Sequence, residues 1–229
     1  MGIKKLILMA SAILPFTAFA TDDWAEIGKY DEANKQIIES GKYPVVVFLG
    51  NSITQGWPDA HPAFFEKNNF AGRGISGQTT YQYLVRFRED VINLHPEVVV
   101  INGGTNDIAE NNYAYDEERT FGNLVSLAEL AEANGIKVIL TPILPANQFP
   151  WRKEITDIPE KQARINARIK EYAEKKGFGY ADYYSPMVVQ AGALNPAFTY
   201  DGVHPNAKGY EVMERVIIPE ITRTLRSSK

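Results

Sequence analysis

The sequence contains no cysteine. That excludes a disulfide framework, a thiol nucleophile, iron–sulfur clusters and cysteine-ligated zinc. Histidine is scarce as well: His61, His95 and His204 are the only three. Any reaction that needs an imidazole base must choose among them. Basic residues are outnumbered, 24 Lys and Arg against 28 Asp and Glu, for a formal net charge of −4. With no basic tract, the chain is a poor partner for nucleic acid or an anionic membrane. Long apolar runs are missing except at the start. There Lys4 and Lys5 precede an apolar stretch from Leu6 to Phe16, and Ala18-Phe19-Ala20 has the small-x-small pattern that signal peptidase cuts. Residues 1–20 read as a cleavable export signal, too short for a spanning helix of about 20 apolar residues. No cysteine follows, so no lipid anchor is expected. The expectation is a periplasmic or extracellular protein that is stabilised by packing alone.

What is present is ordinary globular material. The 229 residues are 45% apolar and 23% charged, too apolar for disorder and enough for a sizeable core. A soft prior of roughly 150 residues per domain suggests a single domain over residues 21–229. Strand and helix signals alternate along it. Residues 45–49, 98–101 and 137–141 are continuous apolar runs, as in strands covered on both faces. A short strand is expected at 69–71 and a fifth strand at 178–183. Helical spacing predicts helices over 22–40, 79–92, 115–134 and 159–176, with Gly41, Gly135 and Gly177 as C-terminal caps. Asn206 can cap a last helix toward Leu225, kinked or split by Pro219. Residues 142–158 lack clear structure, as a functional loop would. Repeated β-α units imply a mostly parallel sheet with helices on both faces, and ligands at the carboxyl ends of its strands.

Polar loops gather at that edge. Gly50-Asn51-Ser52-Ile53-Thr54 follows the first strand, and Gly72-Arg73-Gly74-Ile75-Ser76-Gly77 the second. Asn102-Gly103-Gly104-Thr105-Asn106-Asp107 follows the third, and Asp201-Gly202-Val203-His204 comes after the fifth. Acyl transfer needs a hydroxyl nucleophile, a base oriented by a carboxylate, and preorganised donors for an oxyanion. Ser52 can supply the first, and His204 with Asp201 the second. The N–H groups of Ser52 and Gly77 and the Asn106 amide can supply the third. His95 stands just before a strand and so belongs at the opposite edge. His61 has only Asp59 as a nearby sequence partner.

These four segments resemble the blocks of the SGNH (GDSL-type) hydrolases, most closely the bacterial branch similar to platelet-activating-factor acetylhydrolase. The resemblance covers about residues 45–225. It implies a three-layer α/β/α sandwich around a five-stranded parallel sheet, the flavodoxin-like arrangement of this family. It also implies hydrolysis of short acyl or acetyl esters without metal or cofactor. Carried over by position, Ser52 is the nucleophile, His204 the base and Asp201 its orienting carboxylate, while Gly77 and Asn106 complete the oxyanion hole. Two positions depart from the pattern. Asn51 stands where the first block usually has aspartate, and Gly72 where the second often has asparagine.

Gly72–Gly77 also matches the dinucleotide G-x-G-x-x-G fingerprint. The acidic residue that would hold a ribose is not at the end of the next strand, because Glu97 precedes that strand. The same blocks would also suit a carbohydrate-binding protein on this fold with little catalysis, or a lysophospholipase- or thioesterase-like acylhydrolase. Aromatic residues in the loops, among them Trp57, Tyr113, Trp151 and Tyr200, are expected at the rim, where they suit sugar rings and acyl chains alike. The expected substrate is a small-molecule or glycan ester.

Overall fold

A computed structural model describes residues 23–227; the expected export signal lies outside the described residues. Five strands form one parallel sheet: β1 Val46–Gly50, β2 Phe70–Gly74, β3 Val98–Ile101, β4 Lys137–Leu140 and β5 Gly179–Tyr180. Their order is β2-β1-β3-β4-β5, with Val46 opposite Phe70 on one side and Val98 on the other. The α-helices are α1 Asp31–Ser40, α2 Ser52–Ala60, α3 Pro62–Asn68, α4 Thr80–Asp90, α5 Thr105–Ile108, α6 Glu117–Ala133, α7 Ile158–Lys176 and α8 Ala207–Arg226.

The strands show why both faces are covered. Successive residues point to opposite sides of a sheet. Val47, Leu49, Val99, Ile101, Val138 and Leu140 face one core, closed by Tyr83 and Phe87 of α4, Leu124 and Leu127 of α6, and Ile165 and Ile169 of α7. Val46, Phe48, Val98, Val100 and Ile139 face the other, closed by Ile53 and Trp57 of α2, Phe65 of α3, and Met213 and Ile217 of α8. This is the expected three-layer α/β/α architecture. Chain order reverses at β1, since β2 lies on one side of it and the following strand β3 on the other. A crevice therefore opens at the carboxyl ends of β1 and β3.

Several elements differ from their sequence expectations. The expected helix over 22–40 is a 3₁₀ turn, Ile27–Tyr30, followed by α1. The carbonyls of Trp24 and Ala25 are taken by the side-chain amides of Gln82 and Gln78, and Glu26 turns left-handed at φ 46°. A regular helix cannot start under those demands. The spacing also passed over α2 and α3, because Gly56, Pro58 and Pro62 interrupt the pattern. Pro219 lies within a continuous α8 and does not split it. The fifth strand is only two residues long. Residues 142–158 carry no helix or strand up to the start of α7.

Candidate active site

Ser52 is the first residue of α2, immediately beyond β1. Asn51 caps that helix, its side-chain oxygen accepting the Ile53 N–H at 3.0 Å. The asparagine thus supplies the local acceptor that an aspartate would supply. Ser52 Oγ lies 2.8 Å from His204 Nε2, and His204 Nδ1 lies 2.7 Å from Asp201 Oδ2. Asp201 also accepts the backbone N–H groups of Val203 and His204 through Oδ1, at 2.9 and 2.8 Å. Burial works against its charge, but those N–H groups and the imidazole outweigh it and hold the carboxyl below the usual aspartate range. An ionised Asp201 fixes His204 with Nδ1 protonated, leaving Nε2 to accept from Ser52.

The expected oxyanion donors stand in the segments after β1, β2 and β3. Gly77 has φ +76°, a conformation that strains an L side chain. Among the described residues, neither its N–H nor that of Ser52 donates to a protein acceptor. Asn106 sits buried in α5 after β3; its Nδ2 donates to the Gln78 carbonyl at 2.8 Å. One amide hydrogen is thereby used and the other remains available. The expected loops after β2 and β3 thus meet each other through Asn106 and Gln78, and the first reaches the end of β1 through the Ile75 N–H on the Gly50 carbonyl. Gly72, the second departure, has a packing cause. A Cβ there would come within 2.6 Å of Pro58 Cγ in α2.

Sequence reasoning missed the supports around these loops. Gln55 of α2 accepts the Ser76 N–H at 2.7 Å. The fully buried Arg86 reaches three parts of the site from α4. Its Nε donates to Gln78 Oε1 at 2.7 Å, Nη1 to the Arg73 carbonyl and Nη2 to the Gly50 carbonyl, each at 3.0 Å. Asp90 balances its charge at 2.8 Å. The signal was an Arg/Asp pair four residues apart on the inward stripe of Tyr83 and Phe87. Asp107 is also buried. It accepts from the Thr80 hydroxyl at 2.6 Å, the Thr80 N–H and the Tyr113 hydroxyl. Desolvation raises its pKa, even though those hydrogen bonds pull the other way. No local pattern marks it.

The aromatic expectations divide. Trp57 is not at the rim. Helix α2 places it one turn beyond Ile53, in the core, stacked between Phe64 and Tyr210 at 5.4 and 5.5 Å. Phe149 is likewise buried, under Trp151. The Tyr113 hydroxyl is committed to Asp107, and its ring meets Tyr81 edge-on at 4.9 Å. Trp151 and Tyr200 do flank the site: their rings lie 6.0 and 5.8 Å from the His204 ring, and Tyr200 stacks on it with nearly parallel planes. His61 pairs with Glu214 at 2.6 Å, between α2 and α3. His95 packs against Tyr43 just before β3, at the far edge of the sheet. Among the described residues no cluster of His, Asp and Glu could hold a metal ion, and no helix is long and apolar enough to cross a membrane.

Residues 48–212 match the GDSL-like lipase/acylhydrolase family. The structure superposes on a GDSL-like lipase from Bacteroides thetaiotaomicron with a TM-score of 0.84 and 54% identity, over 87% of this chain and 98% of that one. A multidomain esterase of Ruminococcus flavefaciens is 33% identical over 134 residues, 58% of this chain but only 16% of that protein's length. An acetylxylan esterase of Geobacillus stearothermophilus is 30% identical over 162 residues, 65% of this chain and 70% of that one. The chain belongs to the GDSL-like lipase/acylhydrolase family and is an ester-hydrolysing enzyme.

Proposed function

We propose that this enzyme hydrolyses short-chain acyl esters, principally acetyl esters of saccharides, with Ser52 as nucleophile, His204 as base and Asp201 as its orienting carboxylate. The observation that carries the reading is the unbroken row from Ser52 Oγ through His204 to Asp201, with contacts of 2.8 and 2.7 Å. His204 Nε2 takes the hydroxyl proton as Oγ attacks the ester carbon. Negative charge then develops on the carbonyl oxygen, where the Ser52 and Gly77 N–H groups and the Asn106 amide receive it. His204 returns the proton to the leaving alcohol, and water repeats the sequence on the acyl-enzyme.

The proton path bears on the substrate. The alcohol must leave beside His204 Nε2, so its wall is made by Tyr200 and Trp151. Flat aromatic faces suit the apolar face of a sugar ring. The acetylxylan esterase relative supports the same reading. Residues 1–20 are proposed to direct export, which would place the enzyme among external glycans.

A fluorophosphonate mapped by mass spectrometry tests the nucleophile: it should label Ser52 and leave the Ser52→Ala variant unlabelled. Labelling elsewhere, or esterase activity retained in that variant, would sink the assignment. No labelling with intact glycan binding would favour a binding protein. Nitrophenyl acetate, butyrate and octanoate compared with acetylated xylan test the acyl preference. Faster turnover of octanoate would favour a lysophospholipase-like enzyme.

A further inference from the structure

The segment before the sheet, residues 23–40, has no part in the proton path, yet its polar contacts converge on the loop carrying Gly77. The Tyr30 hydroxyl donates to the Gly74 carbonyl, at the end of β2 where that loop begins. Asn34 Oδ1 accepts Arg73 Nε at 2.9 Å, and its Nδ2 donates to Asp90 at 2.8 Å. The Ala25 carbonyl accepts Gln78 Nε2 at 2.5 Å, and the Trp24 carbonyl accepts Gln82 Nε2 at the same distance. Ala25, Asn34, Arg73, Gln78 and Gln82 are all buried. Polar groups that find partners in such surroundings are held rigidly, and a missing partner is costly there; of this network Arg73 Nη2 has no hydrogen-bond partner.

Gln78 is the junction. Its side chain is gripped at both ends, Oε1 by Arg86 and Nε2 by Ala25. Its backbone carbonyl accepts from Asn106 Nδ2 at 2.8 Å. Gly77, its chain neighbour, is exposed and left-handed; its carbonyl accepts Asn111 Nδ2 at 3.3 Å, while its N–H donates to no protein acceptor among the described residues. One residue therefore orients the Asn106 amide through its main chain and fixes the end of the Gly77 turn through its side chain.

We propose that Gln78 is a positioning residue for the oxyanion hole and that residues 23–40 are the brace that holds it there. The proposal rests on the reading of Gly77 and Asn106 as oxyanion donors. Displacing preorganised donors raises the barrier without weakening ground-state binding. The full chain serves for the test, with Gln78→Met, Tyr30→Phe and Asn106→Ala as variants. Each is assayed on nitrophenyl acetate and on the corresponding thionoester, whose sulfur is a poor guest for an oxyanion hole.

For Gln78→Met, kcat on the oxoester should fall by about tenfold or more, in line with the sensitivity of reacting geometry to small displacements. KM should stay close to that of the parent, and the oxo-to-thiono rate ratio should fall with kcat. Tyr30→Phe removes one hydroxyl and should shift the ratio in the same direction by a smaller factor; it decides the matter if Gln78→Met does not fold. A lower unfolding midpoint with kcat and ratio unchanged in both variants would overturn the proposal and leave residues 23–40 a purely structural element. If Asn106→Ala lowers the ratio while the other two do not, the oxyanion reading stands and the brace fails. If Asn106→Ala leaves the ratio unmoved, the oxyanion reading itself fails and takes the brace with it.

Discussion

The two sides of the candidate active site are built on opposite plans. The Asp201–His204 side is a loop of half-exposed residues held by contacts within a few positions in sequence. Asp201 grips the backbone of Val203 and His204, and Thr199 donates to the His204 carbonyl at 2.7 Å. The Gly77–Asn106 side is backed by buried polar groups that meet across long separations: Arg86 with Gly50, Gln78 with Ala25, Asp107 with Thr80. A base that binds and gives up protons works next to water. Donors that must not reorganise during the reaction are better held in a packed interior. Charge is easily kept on the first side and costly to keep on the second.

The contrast can be broken by exchanging activity for stability. Asp201→Asn leaves an acceptor for the two N–H groups but reverses the preferred His204 tautomer. Turnover should drop by roughly three to four orders of magnitude, while unfolding free energy changes by under about 1 kcal/mol, as for exposed pairs. Arg86→Met removes the charge that balances Asp90 and takes a donor from Gln78 Oε1 and from the carbonyls of Arg73 and Gly50, the last of which keeps the Ile75 N–H. It should cost about 3–5 kcal/mol of stability. Denaturant titrations and steady-state kinetics on both variants check this. Unfolding of Asp201→Asn, or undiminished stability of Arg86→Met, would erase the distinction.

The same division explains what could be read from the sequence. Continuous runs such as Val98–Ile101 announced buried parallel strands, and strand-edge geometry singled out His204 from three histidines. Asp201 and His204 are three apart, so their partnership is visible locally. The supports of Gly77 are not. Gln78 meets Ala25 from 53 positions away, and Asp107 meets Thr80 from 27. No periodicity records such pairings. Trp57 illustrates the reverse error: it is close to Ser52 in sequence, but a helix between them turns it into the core. The helix expected over 22–40 failed for the same tertiary reason, since its carbonyls serve Gln78 and Gln82 instead of their own helix.

A smaller effect sharpens the comparison by sign. Asp107 has a raised pKa in the folded state, so its stabilising share is complete below the ordinary carboxylate range and is lost as pH rises through that raised value. Asp201 has a lowered one, so its share is present above the ordinary range and is lost as pH falls through the depressed value. Unfolding free energies measured across the acidic to neutral range should therefore diverge. Relative to the parent, Asp107→Asn should gain with rising pH, whereas Asp201→Asn should gain with falling pH. Slopes of the same sign in both variants would contradict the picture of one carboxylate desolvated and one stabilised by donors.

The smallest expected effect concerns Tyr200, which is 72% exposed and stacks on His204 at 5.8 Å. If it serves as a wall for the alcohol, Tyr200→Ala should raise KM for an acetylated xylo-oligosaccharide by about two- to tenfold, the scale of one aromatic contact. Its kcat should stay near that of the parent, and ethyl acetate, which has no ring to stack, should be turned over as before. A fall in kcat on both substrates would give Tyr200 another role. It would then hold the imidazole plane, and the Asp201–His204 side would depend on a packed neighbour as the Gly77–Asn106 side does. The ratio of the two KM changes therefore separates an aromatic that meets substrate from one that steadies the base.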